Sequence, residues 1–249
     1  MLKLGQTIVR VDETASTNSL VLANERYLDQ HGLVVVARRQ TAGRGRMGRA
    51  WLDLPGEQLF ASIVVHPRLA AADTPAVALI AGLAVAQAIR ETAGLDARLK
   101  WPNDVLIRGR KVCGILVESS PGRTGAPRLV IGVGVNCQGD PDGLPPDLGG
   151  RATALSPEAG RPIPPEAVLQ ALLTRLDALL ARLSAHEKAE LLIEWARVAD
   201  VTGRRVQFPV TGGRAQGIVQ GITPEGYLVV EDVAGLRHLI VSSEVEWKD

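Results

Sequence analysis

A segment rich in glycine and arginine, residues 43–49 (GRGRMGR), is the part of the sequence best suited to hold an anion. Its glycines allow backbone N–H groups to approach a ligand closely. Arg44, Arg46 and Arg49 carry planar guanidinium groups that can pair with a carboxylate or a phosphate. A lone arginine would be typical of a solvated turn, but three arginines interleaved with glycine favour an anion-binding loop.

The same segment formally matches the G-x-G-x-x-G pattern of dinucleotide-binding proteins. In a Rossmann fold that turn opens a helix, whereas residues 50–56 (AWLDLPG) are typical of a loop. No acidic residue ends a second strand about 20 residues further on, and the sequence contains no Walker A pattern. The context therefore argues against both nucleotide-binding motifs.

Three further polar clusters border or interrupt apolar strands. Residues 100–104 (KWPND) join two strands through a proline, and such residues also form ordinary β-turns. Residues 111–118 (KVCGILVE) begin with a lysine, and the glycine within them would let a ligand approach the backbone. Residues 132–136 (GVGVN) lack side chains at alternate positions of one sheet face. Each cluster is a weak signal alone, since turns, solvated lysines and strand glycines are common.

These clusters require a sheet to position them, and the hydrophobic pattern predicts one. Helices are predicted at residues 16–31, 73–94, 165–183 and 187–198, separated from strands at residues 6–11, 33–37, 59–65, 97–101, 111–118 and 129–135. A mixed sheet flanked by helices, of the α+β class, is the natural assembly. Residues 141–165 are rich in Pro, Gly and Asp, which predicts a long surface connection.

Near the C-terminus the sequence pattern changes from long helical segments to short β segments. Short β segments are predicted at residues 205–210, 215–222, 227–231 and 236–241, separated by glycine-containing turns. This pattern predicts a small β-barrel at residues 203–249, appended to a larger domain at residues 1–200.

Composition narrows the functional classes. The apolar fraction of 46%, the charged fraction of 22% and the net charge of +1 are typical of a globular protein and argue weakly against a nucleic-acid-binding protein. The sequence has no signal peptide and no long uncharged apolar run, so we expect a cytoplasmic protein that does not insert into a membrane. Cys113 and Cys137 are too widely spaced for a zinc motif, which predicts reduced thiols and no protein-bound metal site.

The four clusters, in this order after residues 13–18 (ETASTN), resemble the catalytic domain of biotin protein ligases. The resemblance spans about residues 6–140, and the C-terminal β segments fit the SH3-like barrel of the same family. It implies a fold similar to class II aminoacyl-tRNA synthetases. It also implies a two-step reaction in which biotin and ATP, with Mg²⁺, form biotinyl-5′-AMP, and biotin then passes to a lysine of a biotin carboxyl carrier protein.

The resemblance also implies roles for individual residues. The catalytic groups would be Lys111, Arg46 and Asp104. The biotin site would comprise Ser16, Thr17, Asn18, Gln40, Gly43, Arg44, Gly45, Arg46, Lys111, Gly114 and Ile115. The ATP and adenylate site would comprise Arg46, Arg49, Trp51, Asn103, Lys111 and Asn136.

Many members of this family carry an N-terminal winged helix that binds DNA. Here the first motif begins within 20 residues of Met1, so we expect the monofunctional type without DNA binding. A homodimer is compatible with the sequence. The alternatives are a lipoate protein ligase, which shares the adenylate chemistry, and a nucleic-acid-binding module built on the barrel. The aromatic content of 3% offers few stacking platforms for the latter.

Overall fold

A computed structural model of the protein describes residues 3–51, 55–67, 74–122, 127–139, 150–241 and 245–248. The larger part, up to residue 199, contains seven strands and six α-helices within these residues: β1 (Ile8–Thr14), α1 (Thr17–Leu22), α2 (Glu25–Leu28), β2 (Val34–Gln40), β3 (Leu59–Val65), α3 (Thr74–Ala93), β4 (Ala97–Lys100), β5 (Asp104–Ile107), β6 (Arg110–Ser120), β7 (Arg128–Val135), α4 (Leu155–Ala159), α5 (Pro165–Ser184) and α6 (Lys188–Ala199).

The first seven strands form one mixed sheet in the order β1-β2-β3-β7-β6-β5-β4. β1 and β2 run parallel, whereas the other neighbouring strands of this sheet are antiparallel. The mixed sheet predicted from the sequence is therefore confirmed. The three central strands β3, β7 and β6 pair over most of their length, which makes them the rigid floor on which side chains can be placed.

Alternation along the strands gives the sheet two different faces. Leu59, Ala61 and Ile63 of β3 join the main apolar core, which is formed with α3, α5 and α6. Val64 of the same strand instead joins a smaller cluster with residues of α1 and α2 on the opposite face. Leucine and alanine side chains of α3, α5 and α6 cover the first face completely. Polar groups can therefore lie only on the opposite face, beside α1 and α2.

α3 is long and apolar enough to cross a membrane by length and composition. However, 72% of its most apolar stretch is buried inside the protein. Residues on all sides of this helix are buried, from Ala76 to Ala93. This burial is typical of the central core helix of a globular domain.

The C-terminal residues form a second, antiparallel sheet. Its strands are β8 (Arg205–Val210), β9 (Gly213–Ile222), β10 (Leu228–Asp232), β11 (Arg237–Ile240) and β12 (Glu246–Lys248), in the order β11-β10-β9-β8-β12. The predicted C-terminal β module is thus confirmed. Its apolar side chains, including Phe208 and Val219, continue the main core.

One hydrogen bond joins the second sheet to the first. The indole Nε1 of Trp101, at the end of β4, donates to the carbonyl of Gly226 at 3.0 Å. Gly226 has φ +89°, and a Cβ there would lie 2.9 Å from Leu79 of α3. A glycine is therefore required at this contact, both for the backbone conformation and for the close packing.

The structure differs from the sequence-based prediction in the number and bounds of several elements. The helix predicted at residues 16–31 is broken into α1 and α2, because the side chain of Asn24 accepts a hydrogen bond from the amide of Arg26 (3.0 Å) and caps a new helix. The strands β5 and β12 were not predicted; they are short, four and three residues. Within the connection predicted at residues 141–165, residues 150–165 contain the helix α4, whereas residues 141–149 lie outside the described residues.

A histidine pair, His31 and His66, lies beside the end of β3. Nδ1 of His31 accepts a hydrogen bond from the amide of His66 (3.0 Å). Burial first, and then the nearby His66, lower the pKa of His31, while Asp177 opposes this shift. The unfolded chain therefore binds the proton more readily than the folded one just below pH 6.5, the ordinary value for histidine.

We expect the free energy of unfolding to fall as the pH drops from about 6.5 toward the lowered pKa of His31, and to be insensitive to His31 above that range. Chemical denaturation across this pH range measures the effect. His31→Asn, which keeps a hydrogen-bond acceptor without titrating, should flatten the profile. His186→Asn, at an exposed histidine, is the control and should not. Equal pH profiles for wild type and His31→Asn would contradict the assignment.

Candidate active site

A cavity of about 850 Å³ opens on the sheet face opposite to α3 and α5. Its walls come from the start of α1, the loop that follows β2, the turn between β4 and β5, strands β6 and β7, residues 150–152 and the C-terminal strand β12. Each of the four sequence clusters contributes to it. The cavity is therefore the place where the chemistry-bearing segments of the chain meet.

Glycines on β6 and β7 form the floor of this cavity. Gly114 and Gly134 are paired across the two strands, and the indole ring of Trp51 lies on them. A Cβ atom would lie 2.5 Å from the ring at position 114 and 2.9 Å from it at position 134. A Cβ on Gly132 would likewise overlap the amide of Asn18. The alternating glycines are thus the reason why large side chains can lie flat on the sheet.

The loop that carries Trp51 is a small hairpin. Arg44 and Ala50 form a β-bridge, the amide of Gly45 donates to the carbonyl of Arg49 (2.7 Å), and the amide of Trp51 donates to the carbonyl of Gly43 (2.9 Å). Residues 46–48 make one turn of 3-10 helix at its tip, with Met47 at φ 56°. Arg44, Arg46 and Arg49 of this hairpin all line the cavity.

Three charged groups converge inside the cavity. Nζ of Lys111 lies 2.7 Å from Oδ1 of Asp104 and 5.2 Å from the centre of the Trp51 ring. Burial lowers the pKa of Arg46, and the charge of Asp104 partly offsets this shift. Arg46 and Lys111, from segments more than 60 residues apart, therefore face one carboxylate in a common cleft.

The strand start at Lys111 is fixed by the segment that precedes α4. The amide of Lys111 donates to the carbonyl of Arg151, and the amide of Thr153 donates to the carbonyl of Lys111, both at 2.8 Å. Glu158 of α4, with a side chain 2% exposed, accepts from the hydroxyl of Thr153 (2.7 Å) and forms an ion pair with Arg110. The unpredicted helix α4 thus holds the lysine in place.

The turn at residues 100–104 is attached to β6. Lys100 and Asp104 pair across β4 and β5, and the peptide bond between Trp101 and Pro102 is cis. The side-chain amide of Asn103 donates to the carbonyl of Ile115 (2.8 Å), and the amide of Ile115 donates to the carbonyl of Asn103 (3.0 Å). These bonds keep Asp104 beside Lys111.

The polar end of the cavity lies at the start of α1. Ser16 caps this helix by accepting a hydrogen bond from the amide of Ser19 (3.5 Å). The amide and the hydroxyl of Thr17 both donate to Oε1 of Gln40, at 2.8 and 3.2 Å. This arrangement fixes the orientation of the Gln40 amide, whose NH₂ group is then a positioned donor.

Most of the site residues predicted from the sequence line this cavity. They are Ser16, Thr17, Asn18, Gln40, Arg44, Gly45, Arg46, Arg49, Trp51, Asn103, Asp104, Lys111, Gly114 and Ile115. The side chain of Ile115 packs into the helix-side core, so only its main chain can face the cavity.

Gly43 and Asn136 are placed differently. Among the described residues, neither lies in the cavity wall. Gly43 accepts the hydrogen bond that closes the loop hairpin. The side chain of Asn136 is buried and donates to the carbonyl of Thr153 (3.0 Å), so it holds the segment before α4.

The structure also adds cavity residues that sequence reasoning missed. Arg151 follows a Pro- and Gly-rich stretch that gave no periodic signal, and Trp247 belongs to the three-residue strand β12. Within the described part of the chain, no group of three or more His, Cys, Asp or Glu side chains could hold a metal. Cys113 and Cys137 are both free and buried, and burial raises the pKa of Cys137 to about 12.

Comparisons with known proteins agree on one family. Residues 10–136 match the model of the "Biotin/lipoate A/B protein ligase family", and residues 201–247 match the "Biotin protein ligase C terminal domain". The chain is 34% identical over 245 residues to the bifunctional ligase/repressor BirA of Bacillus subtilis, covering 98% of this chain and 74% of that protein. It is 33% identical to the biotin–[acetyl-CoA-carboxylase] ligase of Mycobacterium tuberculosis, covering 94% and 85% of the two chains.

A solved structure extends the similarity to three dimensions. The biotin protein ligase from Aquifex aeolicus in complex with biotin and ATP superposes with a TM-score of 0.80 at 27% identity, covering 98% of this chain and 99% of that one. The described architecture, with a mixed sheet and a C-terminal β module, is therefore shared by a protein whose substrate complex is known.

Substitution of Gly114 tests the cavity floor. In Gly114→Ala the new methyl group would overlap the Trp51 ring, and such overpacking costs on the order of 1–3 kcal/mol. We expect exchange of the Gly45 and Trp51 amides, measured by hydrogen–deuterium exchange, to quicken roughly tenfold. Gly213→Ala is the control, because a Cβ there meets open space. Unchanged loop exchange in Gly114→Ala would show that Trp51 does not rest on the sheet.

Proposed function

The chain belongs to the biotin/lipoate A/B protein ligase family, and on this premise we propose that it activates biotin with ATP and transfers it to a lysine of a biotin carboxyl carrier protein. In the first step an oxygen of the biotin carboxylate attacks the α-phosphorus of ATP, and pyrophosphate leaves. In the second step the lysine amine attacks the carbonyl of biotinyl-5′-AMP, and AMP leaves as a proton is lost from nitrogen. The first step brings negatively charged oxygens together, and in the second step negative charge develops on the carbonyl oxygen and on the departing AMP.

The observation that carries this proposal is the convergence of Arg46 and Lys111 on one cleft beside Asp104. A carboxylate and a triphosphate repel each other, and fixed cations in a partly buried site offset that repulsion most strongly where charge develops. Lys111 would lie beside the reacting carboxylate and α-phosphate. Arg46, whose pKa is lowered by burial, keeps its charge because the guanidinium group titrates far above neutral pH.

We propose that biotin lies on the sheet between the start of α1 and Lys111. Its ureido group needs both donors and acceptors, which Ser16, Thr17 and the oriented amide of Gln40 provide. Its ring and alkyl chain need an apolar wall, which the side chain of Leu116 offers in the cavity. The loop that carries Gly45, which lines the cavity, would complete the site.

The nucleotide is proposed to lie on the side of Arg49, Trp51 and Arg151, where positive groups and an aromatic ring line the cavity. Asp104 and Glu246 are the carboxylates among the described lining residues. Mg²⁺ commonly binds through one or two carboxylates together with substrate phosphates, so this donor set fits it. When bound, Mg²⁺ would neutralise phosphate charge. Asp104, which also pairs with Lys111, would hold it.

The carrier is proposed from chemistry and from the relatives. The lysine of a carrier must reach an anhydride at the base of an open cleft, which requires that the lysine be exposed on the carrier surface. The relative from Mycobacterium tuberculosis is named for the acetyl-CoA carboxylase it modifies. We further propose residues 1–200 as the catalytic domain and residues 203–249 as a second domain, with β12 of the latter completing one cavity wall.

Lys111→Ala tests the proposal directly. Removing a cation at the developing charge should cost about 2–4 kcal/mol of transition-state stabilisation, which corresponds to roughly a 30- to 1,000-fold loss of rate. The measurement is ATP-dependent incorporation of labelled biotin into an apo carrier domain. Lys3→Ala is the control, because this lysine is exposed and is not part of the cavity wall. No incorporation by the wild-type protein, or pyrophosphate release with lipoate and not with biotin, would refute the proposed function.

Ligand-dependent closure of the loop after β2 is a second test. Ordering a glycine-rich loop is entropically costly, so binding energy from the adenylate is needed to hold it shut. We expect amide exchange in residues 40–51 to slow when biotin and ATP are both present. The peptide at residues 165–184, in α5 on the other side of the sheet, is the internal control. Identical exchange in the loop with and without both substrates would contradict closure.

A further inference from the structure

A chain of hydrogen bonds connects the sheet to the loop above the cavity. The hydroxyl of Ser62 on β3 donates to Oδ1 of Asn18 (2.6 Å), and Nδ2 of Asn18 donates to Oε2 of Glu118 (2.8 Å). The guanidinium of Arg44 then donates from Nη2 to both carboxylate oxygens of Glu118, at 2.8 and 3.0 Å. Glu118 thus joins the start of α1 to the arginine loop.

The position of Glu118 follows from the register of β6. Gly114, Leu116 and Glu118 alternate with core residues, so they share the sheet face that carries the cavity. Glu118 is opposite Val130, beyond the paired glycines, and its side chain is 24% exposed. Its carboxylate does not belong to the described cavity wall, so any influence on a ligand must pass through its partners.

Asn18 is committed to this network. It is 3% exposed, and its second amide hydrogen donates to the carbonyl of Leu116 (3.1 Å). Both amide hydrogens and the carbonyl oxygen of Asn18 therefore have protein partners. This leaves Ser16, Thr17 and Gln40 as the groups that can turn their hydrogen bonds toward a small polar ligand.

We propose that Glu118 is a positioning residue for the biotin loop, acting through Arg44 and Asn18. Its carboxylate holds Arg44 against β6 in a charge-assisted pair, which fixes the loop hairpin over the cavity that Arg44 and Gly45 line. Two arginines of the loop therefore have different roles. Arg44 anchors the loop, whereas Arg46 faces Asp104 and the reacting groups.

This inference rests on the proposed function for its effect on biotin, but its structural part can be measured without any substrate. In Glu118→Gln the charge is removed and the shape is kept. We expect exchange of the Gly45 and Trp51 amides in the ligand-free protein to quicken about tenfold, as a lost charge-assisted hydrogen bond would give. Glu166→Gln is the matched control, since Glu166 forms an exposed ion pair with Arg10 (2.7 Å) outside the cavity.

The kinetic prediction separates positioning from chemistry. In Glu118→Gln the KM for biotin should rise about tenfold or more, while kcat at saturating biotin and the KM for ATP stay within about twofold of wild type. A variant that only destabilised the fold would lower the active fraction and reduce kcat without moving KM. A large loss of kcat with an unchanged KM for biotin would overturn the proposal.

A double-variant cycle provides the last check. Arg44→Gln changes a side chain that is 43% exposed on a loop, so it leaves the sheet intact even if Glu118→Gln folds poorly. If the pair acts as one anchor, Glu118→Gln/Arg44→Gln should quicken loop exchange no more than either single variant. Multiplicative effects, or unchanged exchange in Glu118→Gln, would overturn the role of Glu118. If wild type neither binds biotin nor turns over ATP, the proposed function fails, and the exchange data still decide the anchor.

Discussion

Repulsion between two anions is the constraint on which the arrangement of this protein depends. A carboxylate and a phosphate cannot approach closely in a weakly polar cleft unless cations are already fixed there. Lys111 lies at the start of β6, Arg46 lies in a loop hairpin, and Asp104 lies at the start of β5. The carboxylate of Asp104 keeps the two cations from driving each other apart before a ligand arrives. The rest of the fold holds these three groups in fixed positions relative to one another.

Glycines do as much for the site as charged residues. Because β6 and β7 lack side chains at three facing positions, an indole ring and an amide can lie directly on the backbone of the sheet. Strand glycines lose packing and are entropically unfavourable, so their stability must come from neighbours. Here Trp51 and Asn18 supply those contacts on one face, and the buried side chains of α3 supply them on the other. The floor is flat because helices on the far side make it rigid.

The sequence was sufficient to predict the mixed sheet, the C-terminal β module and the segments that form the cavity. Lys111 and Arg46 could be found because their residue types stand out against apolar strands and glycines. Side-chain direction could not be found in the same way. Ile115 belongs to a correctly predicted strand, but alternation turns its side chain into the core, and Asn136 is turned toward Thr153. Glu118 was not singled out because its contact with Arg44 joins residues 74 positions apart in the sequence. The helix α4 was missed because it has only five residues, too few to show a helical hydrophobic period, and lies within a Pro- and Gly-rich connection.

The hydrogen bond from Trp101 to Gly226 has a consequence for how such proteins can vary. It links the turn that carries Asp104 to a loop of the second sheet, at a point where a Cβ on residue 226 would collide with Leu79. A C-terminal module taken from a distant relative would place a different residue or a differently positioned loop against Trp101 and Leu79. The turn that carries Asp104 would then be displaced. The two parts of the chain are expected to be inherited together, and chimaeras should work only where the tryptophan, the glycine and the leucine are exchanged as a set.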